Sequence, residues 1–173
     1  MKTIVSKCTV PALSSVNQYV QGADFVDCQS ARVVDVQRTA LGHALTIMAA
    51  TPAWIDSLMK LRNRAVKLVG LKDLGGLKRI DLKRDEASYQ PGQRIGIFTL
   101  VSSTDDEALM VDRDKHLDVY VVLNRLPIDA DGSRTVVLST VVRTHNLLGK
   151  VYMVPVGPMH RVIAPRTLAN ING

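Results

Sequence analysis

His116 and Asp118 stand two residues apart, and Tyr120 follows at the same spacing. In a strand, residues i, i+2 and i+4 share a face, so an imidazole, a carboxylate and a phenol would point the same way. A carboxylate beside a histidine orients the ring and makes it more basic, which is what a general base requires. Arg143 and His145 form a second polar pair at strand spacing. The plainer reading of all five is the wet face of a half-buried sheet, polar for solubility alone. No Ser or Cys has the context of an activated nucleophile. A metal centre would need His116, His145 and His160, or a carboxylate, to converge. No ligand motif is present, so neither a metal nor another cofactor is expected.

The elements that position these groups are legible as periodicities. Leu117, Val119, Val121 and Leu123 alternate with His116, Asp118, Tyr120 and Val122, the period of a two-faced strand over 114–123. The return half, 135–146, is β-branched on both faces and reads as a central strand. Residues 127–132 form the loop between them. Further strands are expected over 94–101, 107–111 and 150–156, and extended segments over 23–28 and 31–34. Leu41, Ala44, Leu45 and Met48 fall on one helical stripe, with His43 at its edge. A second, longer helix is expected over 52–69, with Thr51 as cap and Pro52 at its first position. Trp54 and Leu58 lie on its apolar stripe. Arg62 lies about two turns from Trp54 on nearly the same side, and a half-buried Arg calls for an acidic partner, such as Asp118, or an anionic ligand. Residues 158–171 read as a closing helix, kinked or delayed by Pro165.

Composition bounds the class. A chain of 173 residues can bury a substantial core as one domain. Residues 1–22 are polar and mixed, an N-terminal arm before a single domain over 23–173. Aromatics are only 4%, so aliphatic side chains must fill the interior. The net charge is +6, and 60–86 carries nine Lys or Arg against four acids. Such a run could meet nucleic acid or a membrane surface, but interleaved aromatics are lacking and a solvated face is the simpler reading. Two cysteines, Cys8 and Cys28, imply free thiols or at most one disulfide, and a reducing, cytoplasmic setting. The N-terminus does not read as a signal peptide, and no apolar run approaches a membrane span.

The ordered series Pro52-Ala53-Trp54, Leu61-Arg62-Asn63, Gly70-Leu71-Lys72, Gly96-Ile97-Phe98, Glu107, 114–118, 139–142, 149–152 and 158–161 resembles a bacterial family, domain of unknown function 2867, over nearly the whole chain. Val111 and Met159 depart from it, where a glycine and an aromatic are usual. The family is related to START-like proteins, and the order of elements is similar to their helix-grip fold. The resemblance thus implies an α+β domain in which a curved antiparallel sheet wraps a terminal helix around a cavity.

Three functional readings follow. The first is a binding module for a small apolar or amphipathic molecule, in a pocket between sheet and helices lined by Trp54 or Leu58, Phe98 and His160, with Arg62, His116, Asp118, Tyr120, Arg143 and His145 as further polar contacts. The second, by analogy of fold, is an enzyme of cyclase, dehydratase or hydrolase type with His116 and Asp118 in acid–base work. The third and weakest is nucleic-acid binding through 60–86.

Overall fold

The computed structural model describes residues 3–55, 57, 80 and 84–172. Seven strands form one sheet, in the order β1-β2-β7-β6-β5-β4-β3, with every pairing antiparallel. They are β1 (Val5–Lys7), β2 (Phe25–Val33), β3 (Arg94–Ile95), β4 (Phe98–Ser103), β5 (Glu107–Arg113), β6 (Leu117–Ile128) and β7 (Arg134–Thr144). The helices are α1 (Asn17–Val20), α2 (Ala40–Ala49) and α3 (Leu147–Leu168). The fold is α+β, with α2 and α3 on one face of the sheet.

β6 and β7 pair through most of their length, and β7 pairs with β2 along its other edge. Its β-branched residues suit that central position. The two extended segments expected over 23–34 are one continuous strand. Residues 94–101, expected as a single strand, form a hairpin instead. Gly96 takes a positive φ of 59°, which lets Ile95 pair with Phe98 across a two-residue turn.

The largest departure from the sequence reading is at the C-terminus. Residues 150–156, expected as a strand, belong to α3, which also contains Pro155, Pro158 and Pro165. Valines suggested a strand there, but both edges of β7 are already filled by β2 and β6. The corner after β7 starts a helix instead. Asn146 caps it by accepting from the Gly149 N–H at 3.0 Å, and its amide donates to His116 Nδ1 at 2.9 Å. Gly149 lies so close to the His116 carbonyl that a Cβ would overlap it.

Thr39 caps α2 by accepting from Gly42 N–H at 3.0 Å. The Thr51 hydroxyl donates back to the Met48 carbonyl at the end of α2. A helical turn begins at 53–55. The remainder of the helix expected over 52–69, with Leu58 and Arg62, lies outside the described residues, as does most of the basic run 60–86.

The second face of the sheet is not simply wet. Leu109, Val111, Tyr120, Val122 and Val141 are buried there beneath Val10, Val16, Tyr19, Val20 and Ala23. The Tyr19 and Tyr120 rings stack at 3.8 Å. Glu107 pins this cover, accepting from the Ser14 hydroxyl and the Ser15 N–H at 3.0 Å each and from Asn124 at 2.7 Å. Burial pushes the Glu107 carboxyl up, but these hydrogen bonds outweigh it and hold the group below its ordinary value. At the sheet edge, the free thiols of Cys8 and Cys28 meet at 2.7 Å. Burial, then the Cys28 thiol, pushes Cys8 up to about 12.

His43 is not at the edge of its stripe. It is 1% exposed, and neither ring nitrogen finds a hydrogen-bond partner. Burial, then the Arg38 charge, lowers its pKa to about 4, while the Asp35 charge and then its backbone pull the other way. The neutral ring contributes stability that is fully present above about pH 6.5 and is lost as pH falls toward about 4. The linked loss is on the order of 3 kcal/mol. Between pH 7 and pH 4 the unfolding free energy from denaturant titration should fall further for the native chain than for His43→Leu, by about that amount.

Candidate functional site

The face of the sheet beneath α2 and α3 does not pack solid. Between them lies a cavity of about 250 Å³. The sheet contributes Phe98 from β4, Met110 from β5, Val121 and Leu123 from β6, and Leu138 and Thr140 from β7. The helices contribute Ala44, Ile47 and Met48 from α2 and Tyr152, Val156, Met159, His160, Ile163, Ala164 and Thr167 from α3. Small residues on both helices leave room that few aromatics are present to fill. A second hollow of about 90 Å³ lies toward the N-terminal end of α3, lined by Phe25, Asp112, Asp114, His116, Leu117 and Val119 among others. The two hollows share Thr140, Tyr152, Val156 and His160 as walls, so one histidine stands at their junction.

The placement of His160 follows from the fold. It lies on α3, across from β2, where Phe25, Asp27 and Gln29 alternate toward the helix. Asp27 faces Thr140 in the β2–β7 register. His160 Nδ1 lies 3.5 Å from Asp27 Oδ2, a charge-pair distance rather than a closed hydrogen bond. The His160 ring meets Phe25 edge-on at 5.5 Å. Gln29 donates to Asp27 Oδ1 at 3.2 Å. Asp27 is 8% exposed, yet its carboxyl is held below the ordinary range. The His160 side chain is the largest cause, working against burial, with Gln29 and the Arg161 charge adding to it. The site thus contains an imidazole at the wall of an apolar hollow, with an ionised carboxylate facing its Nδ1 at 3.5 Å.

The residues singled out in the sequence separate into distinct places. Phe98 and His160 line the larger cavity. His116 lines the smaller hollow, and its ring bonds Asn146, not Asp118. Asp118 instead meets His145 Nε2 at 3.2 Å and accepts from the Tyr120 hydroxyl at 3.2 Å. Arg143 donates to the Gln21 carbonyl. Asp118, Tyr120, Arg143 and His145 therefore belong to the face covered by the N-terminal segment, away from the cavity. Trp54 is 40% exposed, with the Arg166 guanidinium 5.5 Å from its ring, while its neighbour Ile55 lines the cavity. Sequence reading did not single out Asp27, Gln29 or Thr140. The one available signal was their alternation with hydrophobic residues on strands, which marks a face without saying what stands opposite. Among the described residues, no group of three or more His, Cys, Asp or Glu side chains could hold a metal ion. No described helix is long and apolar enough to cross a membrane.

Residues 19–167 match the family described as protein of unknown function, DUF2867, and the chain belongs to it. No curated protein and no solved structure matches the chain.

The two His–Asp pairs should differ in energetic weight. Asp27 is buried and His160 half-buried, their side chains 9% and 26% exposed, and a cycle of Asp27→Asn, His160→Gln and the double variant should give a coupling of roughly 0.5–3 kcal/mol in unfolding free energy. His145 is 43% exposed, so the same cycle at Asp118 and His145 should give about 0.2–1 kcal/mol. Equal couplings would show that burial does not distinguish the two pairs.

Proposed function

We propose that this member of the DUF2867 family binds a small apolar or amphipathic molecule in the cavity between the sheet and helices α2 and α3. The observation that carries this reading is a hollow of about 250 Å³ whose walls are overwhelmingly Leu, Ile, Val, Met, Phe and Ala, with His160, Thr140 and Tyr152 together at one end. Apolar walls drive uptake of a hydrocarbon body, and polar groups at one end orient it. A dry cavity of about 150 Å³ accommodates benzene; by proportion, this one suits a body of about ten non-hydrogen atoms. The curved-sheet, terminal-helix arrangement of a START-like helix grip fits the same reading, since that arrangement keeps a hollow at this point.

Naphthalene and indane are suitable probes. Saturating either should raise the melting temperature, because a ligand at a hundred times its Kd adds about 2.7 kcal/mol, and each kcal/mol is worth about 2–4 °C in a chain of this size. Val121→Phe, which fills the cavity from the sheet side, should keep the fold and lose most of that shift. Unchanged melting with both probes would remove the basis of the reading.

A further inference from the structure

We propose that the cavity is a proton-transfer site in which His160 is the general base, Asp27 is its positioning residue, and the substrate is an apolar molecule carrying a carbonyl group. The inference rests on the cavity reading above and adds chemistry to it.

A binding pocket for hydrocarbon has no need of a buried carboxylate behind its histidine. Asp27 is desolvated, held by Gln29, and directed at Nδ1 of a ring that walls both hollows. At 3.5 Å the contact is open; closing it to a hydrogen bond around a bound ligand would favour the tautomer with the proton on Nδ1 and stabilise the imidazolium that forms when the other nitrogen takes a proton. With Nδ1 turned to Asp27, Nε2 is the nitrogen left to accept from a ligand in the cavity. Thr140 brings a hydroxyl to the same junction, opposite Asp27 in the strand register. The other charged or titratable groups around the ring are Arg161 on its own helix and, along the smaller hollow, Asp112, Asp114, His116 and Tyr152.

These groups suit one elementary step. The C–H bond next to the carbonyl breaks, and its proton goes to His160 Nε2. The electron pair moves onto the carbonyl oxygen, where the Thr140 hydroxyl donates a hydrogen bond to the developing enolate. Return of the proton to the same carbon, or to a conjugated one, regenerates the neutral ring and gives exchange or an isomer. No oxidant, reductant or second substrate is required.

The test uses 2-indanone, an apolar ketone of about ten non-hydrogen atoms matched to the cavity. Binding is read from the melting temperature, and proton transfer from loss of the α-proton resonance in D2O. The native chain should exchange these protons in a saturable way, faster than buffer, with the rate falling toward acid pH as the base is protonated. His160→Gln should lower the exchange roughly 10²-fold or more, the usual contribution of a general base. Asp27→Asn should lower the exchange rate at saturating 2-indanone while leaving the melting shift with 2-indanone in place, and Asp27→Glu should restore part of the rate; a merely structural Asp27 would change melting alone. Indane, which fills the cavity without a carbonyl, should inhibit exchange by the native chain competitively, a readout independent of whether either variant folds. Binding of 2-indanone without exchange above buffer would overturn the proton-transfer inference and leave the binding reading intact. Exchange that survives His160→Gln or is insensitive to indane would also overturn it. Failure of 2-indanone, indane and naphthalene to bind at all would remove the cavity reading and this inference with it.

Discussion

The constraint on which the structure depends is that β7 has full-length neighbours on both edges. Its backbone groups are satisfied by β2 and β6, and its side chains are apolar on both faces. Neither face can be left to water without exposing Val136, Val137, Val141 and Val142, all buried here. One face is therefore covered by α2 and α3, and the other by the segment from Val10 to Ala23. The two covers differ in kind. The N-terminal segment is thin and closes tightly, through a stacked tyrosine pair and two hydrogen bonds, from Ser14 and Ser15, to Glu107. The helices are thick and cross a wide sheet, and they leave a hollow where their small residues face it.

That hollow follows from the amino-acid supply as much as from topology. The chain has two Phe and one Trp, and its Trp54 is partly exposed. Between the helices and the sheet, Ala44, Ala164 and Thr167 stand where larger side chains would close the gap. A void lined by carbon forfeits dispersion contacts, so keeping it has a stability cost that a structural role alone does not recover. Placing an ionised carboxylate behind His160 adds a desolvation cost, offset by His160 and Gln29.

Much of the sheet was legible from residue spacing. The alternation over 117–123 marks β6, the β-branched run marks β7, and the helical stripe from Leu41 to Met48 with Thr39 before it marks α2. What was not legible has physical causes. The valines of α3 carry strand propensity, and only the filled edges of β7, a long-range fact, forbid a strand there. Pro155, Pro158 and Pro165 are each unfavourable inside a helix, yet one forms from the Asn146 cap onward. The His116–Asp118 spacing would put both side chains on one face of a strand, but His116 sits at the corner before β6 begins, where Asn146 takes its ring. Asp118 then turns to a histidine on the next strand. The pair that does meet at the cavity, Asp27 and His160, joins the second strand to the last helix. No local pattern links residues so distant in the chain.

The contrast between the two histidine–carboxylate pairs shows why proximity alone is a poor guide to chemistry. At Asp118 and His145 the ring is partly in water, which screens the charges and supplies competing hydrogen bonds. At Asp27 and His160 the same two groups sit where water is scarce and the neighbouring surface is carbon. There the attraction between opposite charges is stronger, and it depends on how much water reaches the pair. An apolar ligand entering the cavity would displace what water remains and strengthen that attraction. The location that makes the carboxylate costly to bury is therefore the location at which its charge has most leverage on a bound molecule. Topology places it there, because Asp27 faces α3 on a strand held in register by the centre of the sheet.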